Sequence, residues 1–164
     1  MLIVKIRSAT PSDLDSIVEV FRSCWNISYS GLLPQKVQEE MTIAAAKDMW
    51  SAAVNPHQNR TTILADTNKK VAGMARFGID PDNEELGHLF SLYVHPEYSG
   101  QGIGRALLLE SIKLLNNDGF VSLSLWVFRD NDIAKKLYSS EGFSPNGEMR
   151  IDPRWQIPEM KMVL

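Results

Sequence analysis

The run LFSLYVHPEYSGQGIGRALLL, Leu89 to Leu109, decides how the rest of the chain is read. Its first part, Leu89 to Val94, is apolar and reads as a strand. Pro96 ends that strand, because proline has no N–H to give to a ladder. Ser99-Gly100-Gln101-Gly102-Ile103-Gly104-Arg105 follows, and Ala106 to Leu109 opens a helix. Strand, glycine-rich turn and helix in succession aim several free backbone N–H groups at one spot, in front of a positive helix end. That spot suits a phosphate or pyrophosphate.

Two familiar phosphate loops do not fit. A P-loop needs Lys and then Ser or Thr after its last glycine, and Gly104 is followed by Arg105 and Ala106. The dinucleotide fingerprint needs Gly or Ala at its sixth position. Counted from Gly100 that position is Arg105, and from Gly102 it is Leu107.

The whole chain sets the bounds. Its 164 residues predict a single domain, residues 1–164, with a sizeable core. A net charge of −3 argues for neither nucleic acid nor a membrane surface as partner. No apolar run approaches the roughly 20 residues of a membrane helix. The start, MLIVKIRSATPSDL, lacks the pattern of a secretory leader, and the single cysteine, Cys24, has no partner for an internal disulfide. These features predict a cytoplasmic protein.

Leu2 to Arg7 reads as a first strand. Thr10 and Pro11 start a helix that runs to about Trp25, with Leu14, Ile17, Val18 and Phe21 at helical spacing. A second helical region covers roughly Pro34 to Ala53, and Asn55 to Asn59 is a turn. Thr61 to Asp66 and Val71 to Gly78 read as strands joined by a hairpin turn at Thr67 to Lys70. Ile79 to Glu84 reads as a polar turn, and Glu85 to Val94 as the strand before the glycines. A helix to Asn117, a strand from Val121 to Phe128, a short helix capped by Asp130 or Asn131, and two last strands complete the order β-α-α-β-β-β-α-β-α-β-β. That order predicts an α/β fold with a mainly antiparallel, twisted mixed sheet of about seven strands and helices on both faces.

The loop V-H-P-E-Y-S-G-Q-G-I-G-R-A-L-L resembles the coenzyme A loop of the GCN5-related N-acetyltransferase (GNAT) superfamily, with Ser99 where the family usually carries Arg or Gln. NDIAKKLYSSEGF, Asn131 to Phe143, resembles the same family's N-x-x-A-x-x-[LF]-Y-x-x-x-G-F signature. CWNISYSGLLP, from Cys24, resembles the first-helix segment that overhangs the acceptor in one branch of the family.

The resemblance implies acetyl-CoA as co-substrate, and no metal. Ser99, Gly100, Gln101, Gly102, Ile103, Gly104 and Arg105 would cradle its pyrophosphate, mostly through backbone N–H groups. Leu92, Tyr93 and Val94 would pair with the pantetheine arm along a splayed strand edge, and an N–H near Val94 would polarise the thioester carbonyl. Asn131 and Ala134 face the same arm, and Tyr138 would protonate the departing thiolate. Gly87-His88-Leu89-Phe90 resembles the family's G-E-L-Y, so His88 stands where relatives carry a carboxylate base; Glu85 is the second candidate. By strand alternation His88 shares a face with Phe90, Leu92 and Val94. Trp25, Tyr29 and Trp155 are expected to wall the acceptor site. Arg150, Asp152 and Arg154 lie beside Trp155 and give no clear acceptor sign. Each assignment has a plainer reading. The glycines can form a tight turn, residues 92–94 an ordinary central strand, and Tyr138, His88, Trp25 and Tyr29 simple packing.

The expected function is acetyl-CoA-dependent transfer of an acetyl group to a primary amine of a small molecule, polyamines included, by direct attack in a ternary complex. Two alternatives stand beside it: acetylation of a protein lysine or N-terminus, and a coenzyme A-binding regulatory module without turnover. The family often forms a homodimer, and no residue pattern decides that here.

Overall fold

The computed structural model describes residues 2–55, 59–68 and 70–164. Its strands are β1 (Val4–Ser8), β2 (Arg60–Thr67), β3 (Lys70–Asp80), β4 (Asn83–Val94), β5 (Ser122–Phe128), β6 (Ser144–Ile151) and β7 (Pro158–Val163). The α-helices are α1 (Leu14–Ser23), α2 (Gln35–Glu40), α3 (Ile43–Trp50), α4 (Ile103–Asn117) and α5 (Asp132–Ser140). One seven-stranded sheet has the order β1-β2-β3-β4-β5-β7-β6. Every neighbouring pair is antiparallel except β4 with β5. The mixed, mainly antiparallel sheet and the element order agree with the expectation. The second helical region is two helices, parted at Met41 and Thr42, where the Thr42 hydroxyl caps α3 by accepting the Ala45 N–H.

The sheet separates two apolar cores. On one face Ile103, Leu107, Leu108 and Leu115 of α4 pack against Ala75, Phe77, Leu123 and Leu125. On the other, Ile17, Val18 and Phe21 of α1 pack with Trp50, Leu64 and Met74. α1 runs on into a π-helical turn, Cys24–Ser28, whose wider winding re-aims the buried Trp25. The start of α1 is tied to the sheet edge by charge. Asp13 accepts the Thr10 N–H at 2.7 Å and takes both terminal nitrogens of Arg7 at 2.8 Å, while Arg7 also reaches Asp66 at 2.6 Å.

Two expectations need correction. The polar turn at Ile79–Glu84 is much shorter: β3 continues to Asp80 and β4 begins at Asn83. The Asp80 carboxylate accepts the Asp82 N–H at 2.8 Å and closes the turn itself. The second correction lies in β4. Ser91 opposes Arg76, yet Leu89 already opposes Phe77, so Phe90 is an extra residue in the ladder. This bulge switches the alternation. His88, Phe90 and Tyr93 therefore line one cleft, while Leu92 and Val94 pack into the α4 core. The turns expected at 55–59 and 67–70 lie partly outside the described residues, at Pro56 to Gln58 and Lys69.

The middle of the sheet is open. β4 pairs with β5 only from Leu86 to Leu89 against Ser122 to Leu125. Beyond that point β5 stays with β7, and β4 stays with β3 as far as Val94. Among the described residues, 90–94 thus have no strand on their β5 side, and all five are only half-buried although β4 is a central strand. Among the described residues, no helix is long and apolar enough to cross a membrane.

Candidate functional site

The glycine loop joins the end of β4 to α4. Gly100 and Gly102 have φ of +73° and +81°, the left-handed region that favours glycine. A Cβ at either would meet nothing within 4 Å, so the requirement is conformational and leaves the space before the loop free. The first helical bond runs from the Ala106 N–H to the Gly102 carbonyl. The N–H groups of residues 100–105 have no hydrogen-bond acceptor among the described residues. Six donors at a helix N-terminus make an anion cradle, which fits the pyrophosphate of coenzyme A. Ser99 is exposed at its edge. Arg105 is held by Glu141 at 2.5 Å, which joins the start of α4 to the end of α5.

The unpaired edge of β4 at Leu92, Tyr93 and Val94 leads from this cradle into the sheet. α5 stands on the α4 side of the gap. Asn131 caps α5, its side-chain oxygen accepting the Ala134 N–H at 3.2 Å. Tyr138 is buried in the α4 core, edge-on to Phe143 at 6.0 Å. Burial, with Tyr93 nearby, pushes its phenol well above the ordinary tyrosine range, so it stays protonated.

On the opposite face a cleft of about 220 Å³ opens. Trp25 and Trp155 both line it, their rings 4.8 Å apart. Tyr29 is not in the lining; it packs behind, against Trp25, Tyr93 and Phe128. His88 reaches the cleft and is 4% exposed. Its Nδ1 lies 2.7 Å from the Ser124 hydroxyl and 3.4 Å from Asp80, and Ser124 donates to Asp80 at 2.5 Å. Lys161 stands 3.5 Å from the same carboxylate. Burial pulls the His88 imidazole down to about 4, against the opposing pull of Asp80. Glu85 is elsewhere, exposed near the start of β4 and outside the cleft lining.

Several cleft residues escape the sequence reading. Glu159 is the one carboxylate among the lining residues, paired with Arg150 at 2.7 Å, and burial raises its pKa. Its signal was present: Glu159 and Lys161 alternate with Met160 and Met162 along a strand between two others. Asp80 and Ser124 gave none, since Asp80 beside Pro81 looks like an ordinary turn residue. Cys24 is buried, donates to the Val94 carbonyl and is pushed up to about 12 by burial, which keeps its thiol protonated. No cluster of three or more His, Cys, Asp or Glu that could hold a metal ion occurs among the described residues.

Comparison with known proteins finds relatives along most of the chain. The model of the acetyltransferase (GNAT) family matches residues 14–143. The spermidine N(1)-acetyltransferase of Thermoplasma acidophilum is 27% identical over 144 residues, 85% of this chain and 88% of that one. An uncharacterized N-acetyltransferase of Bacillus subtilis is 28% identical over 142 residues, 84% of this chain and 80% of that one. Among solved structures, the PaiA N-acetyltransferase of Thermoplasma acidophilum in complex with coenzyme A superposes with a TM-score of 0.80 at 24% identity, covering 97% of this chain and 98% of that one.

Proposed function

Since the chain belongs to the GNAT acetyltransferase family, we propose that it moves the acetyl group of acetyl-CoA to the primary amine of a small molecule by direct attack in a ternary complex. One observation carries this reading: the six unpaired N–H groups of residues 100–105 stand beside the unpaired edge of β4. The loop holds the pyrophosphate. The edge at Leu92 to Val94 aligns the pantetheine arm, and the Val94 N–H polarises the thioester carbonyl. The acceptor enters from the cleft on the other face, walled by Trp25 and Trp155.

The chemistry then divides between the two faces. The amine nitrogen forms a bond to the acetyl carbon, the carbon–sulfur bond breaks, and the sulfur leaves with the electron pair. Tyr138 gives the thiolate a proton. The proton of the attacking amine passes to His88, directly or through water, since its imidazole is neutral at neutral pH. The products are an N-acetylated amine, free coenzyme A thiol and one proton from the ammonium form. The relationship to a spermidine acetyltransferase puts polyamines among the acceptors to be tried. Release of free thiol from acetyl-CoA across a panel of amines tests the reading. Amine-dependent release supports it, and binding of acetyl-CoA with no release on any amine overturns it.

A further inference from the structure

The cleft carries an excess of positive charge. Arg60, Arg76, Arg150 and Arg154 all line it, against the single carboxylate of Glu159. Two of the four are neutralised. Arg150 is taken by Glu159 at 2.7 Å, and Arg154 by the fully buried Asp152 at 3.0 Å. Arg60 and Arg76 form no ion pair among the described residues, and the residues outside that set include no Asp or Glu. The Arg60 guanidinium lies 3.8 Å over the Phe90 ring. Among the described residues Arg76 makes one hydrogen bond, to the Ala52 carbonyl at 3.4 Å, and its buried Nε has no acceptor.

The same walls hold further donors without acceptors. Among the described residues, buried side-chain polar atoms lacking a partner include Trp25 Nε1 and Trp50 Nε1 besides Arg76 Nε, and all three residues line this cleft. Burial lowers the pKa of both free arginines, and the neighbouring Arg154 and Arg60 lower them further, as expected of like charges crowded without a counter-ion. A polyamine would add positive charge to such walls. A carboxylate or phosphate would satisfy the guanidinium fork in two places at once.

We propose that the acceptor is a small primary amine that also carries a carboxylate or phosphate, whose anionic group docks on Arg60 and Arg76 while its amine faces His88. This rests on the cleft being the acceptor site. It turns the preference away from polyamines and toward amino-acid-like or aminoalkyl-phosphate acceptors.

Thiol release is measured with matched amines that differ in the tail: a carboxylate, a phosphate, an uncharged hydroxyl, and spermidine. The expected result is a kcat/KM at least tenfold higher for the carboxylate or the phosphate amine than for the hydroxyl one. Arg60→Gln and Arg76→Gln should remove that gap through KM, and Arg60→Lys should restore part of it. Equal rates for charged and uncharged tails, or a preference for spermidine, would overturn the proposal. A second arm needs no turnover. All four tryptophans of the chain, Trp25, Trp50, Trp126 and Trp155, line the cleft, so intrinsic fluorescence reports its occupancy. Glutarate and inorganic phosphate are each titrated into the wild-type protein and the two Gln variants. Saturation that weakens at least tenfold in the variants supports the anion site; no saturation, or equal affinity in the variants, rejects it. If no amine is acetylated yet the anions bind in this way, the acetyl-transfer reading fails and the anion site stands.

Discussion

Ser124 fixes the tautomer of His88. Its hydroxyl has one proton, and the Asp80 carboxylate at 2.5 Å can only accept it. The same oxygen, 2.7 Å from His88 Nδ1, must therefore accept, so Nδ1 carries the ring proton and Nε2 keeps its lone pair. That is the form a general base requires. His88→Gln is expected to lower kcat by roughly 100-fold, and Ser124→Ala by about tenfold, with little change in KM for acetyl-CoA. Steady-state kinetics at saturating donor checks this. An unchanged kcat in His88→Gln would remove the imidazole from the mechanism.

The same histidine makes stability depend on pH. Its folded-state value of about 4 lies below the ordinary 6.5, because burial favours the neutral ring. Between these values the unfolded chain binds the extra proton. Stability is therefore complete above the unfolded value and falls as pH drops through the window, by about 3 kcal/mol at its lower end. Urea unfolding at several pH values reads the slope. His88→Gln should flatten it in that window.

Tyr138→Phe removes one oxygen from a buried ring that packs on Phe143. Folding should be retained, and KM for acetyl-CoA should change less than about threefold. A fall in kcat of roughly 100-fold is expected if the phenol protonates the leaving thiolate. Turnover equal to wild type would assign that proton to water.

Gly102 and Gly104 should respond differently to alanine. At φ +81° Gly102→Ala carries left-handed strain of about 1 kcal/mol, and relief of that strain would move the N–H groups of the cradle. KM for acetyl-CoA is expected to rise about tenfold. Gly104 has no positive φ, and an added Cβ would meet Leu137 and Val94 at 3.4 and 3.5 Å, ordinary contact distances. Gly104→Ala should match or slightly exceed wild type in thermal stability, by up to about 1 kcal/mol, as the helix gains propensity.

Asp13→Asn keeps the shape of the side chain but leaves Arg7 with one carboxylate, Asp66, instead of two. The cost should be about 2 kcal/mol in chemical denaturation, since a charge-assisted, partly buried pair is broken. Donor-saturated kcat should stay near wild type, because Arg7 and Asp13 lie outside the cleft lining.

The glycine loop and the α5 signature were legible because they are local. Gly100 to Arg105 and Asn131 to Phe143 carry their geometry in consecutive residues, and a strand, a turn and a helix need nothing distant to be recognised. The cleft on the other face is assembled across the sheet. Arg60 comes from β2 and Arg76 from β3, so they meet only through strand pairing. The face assignment of Leu92 and Val94 failed at Phe90, because counting by twos cannot register an extra residue that exists only relative to β3. Asp80 and Ser124, 44 residues apart, join only where β4 and β5 briefly run together.

That brief meeting has a further consequence. Four residue pairs hold together a sheet whose two wings otherwise go separate ways. With the pantetheine arm along the free edge of β4, as proposed, the donor would become part of the architecture, extending a ladder that the chain leaves after four pairs. At a donor concentration a hundred times Kd, this linkage adds about 2.7 kcal/mol to the free energy of unfolding. The stability of the folded protein would then track the concentration of acetyl-CoA.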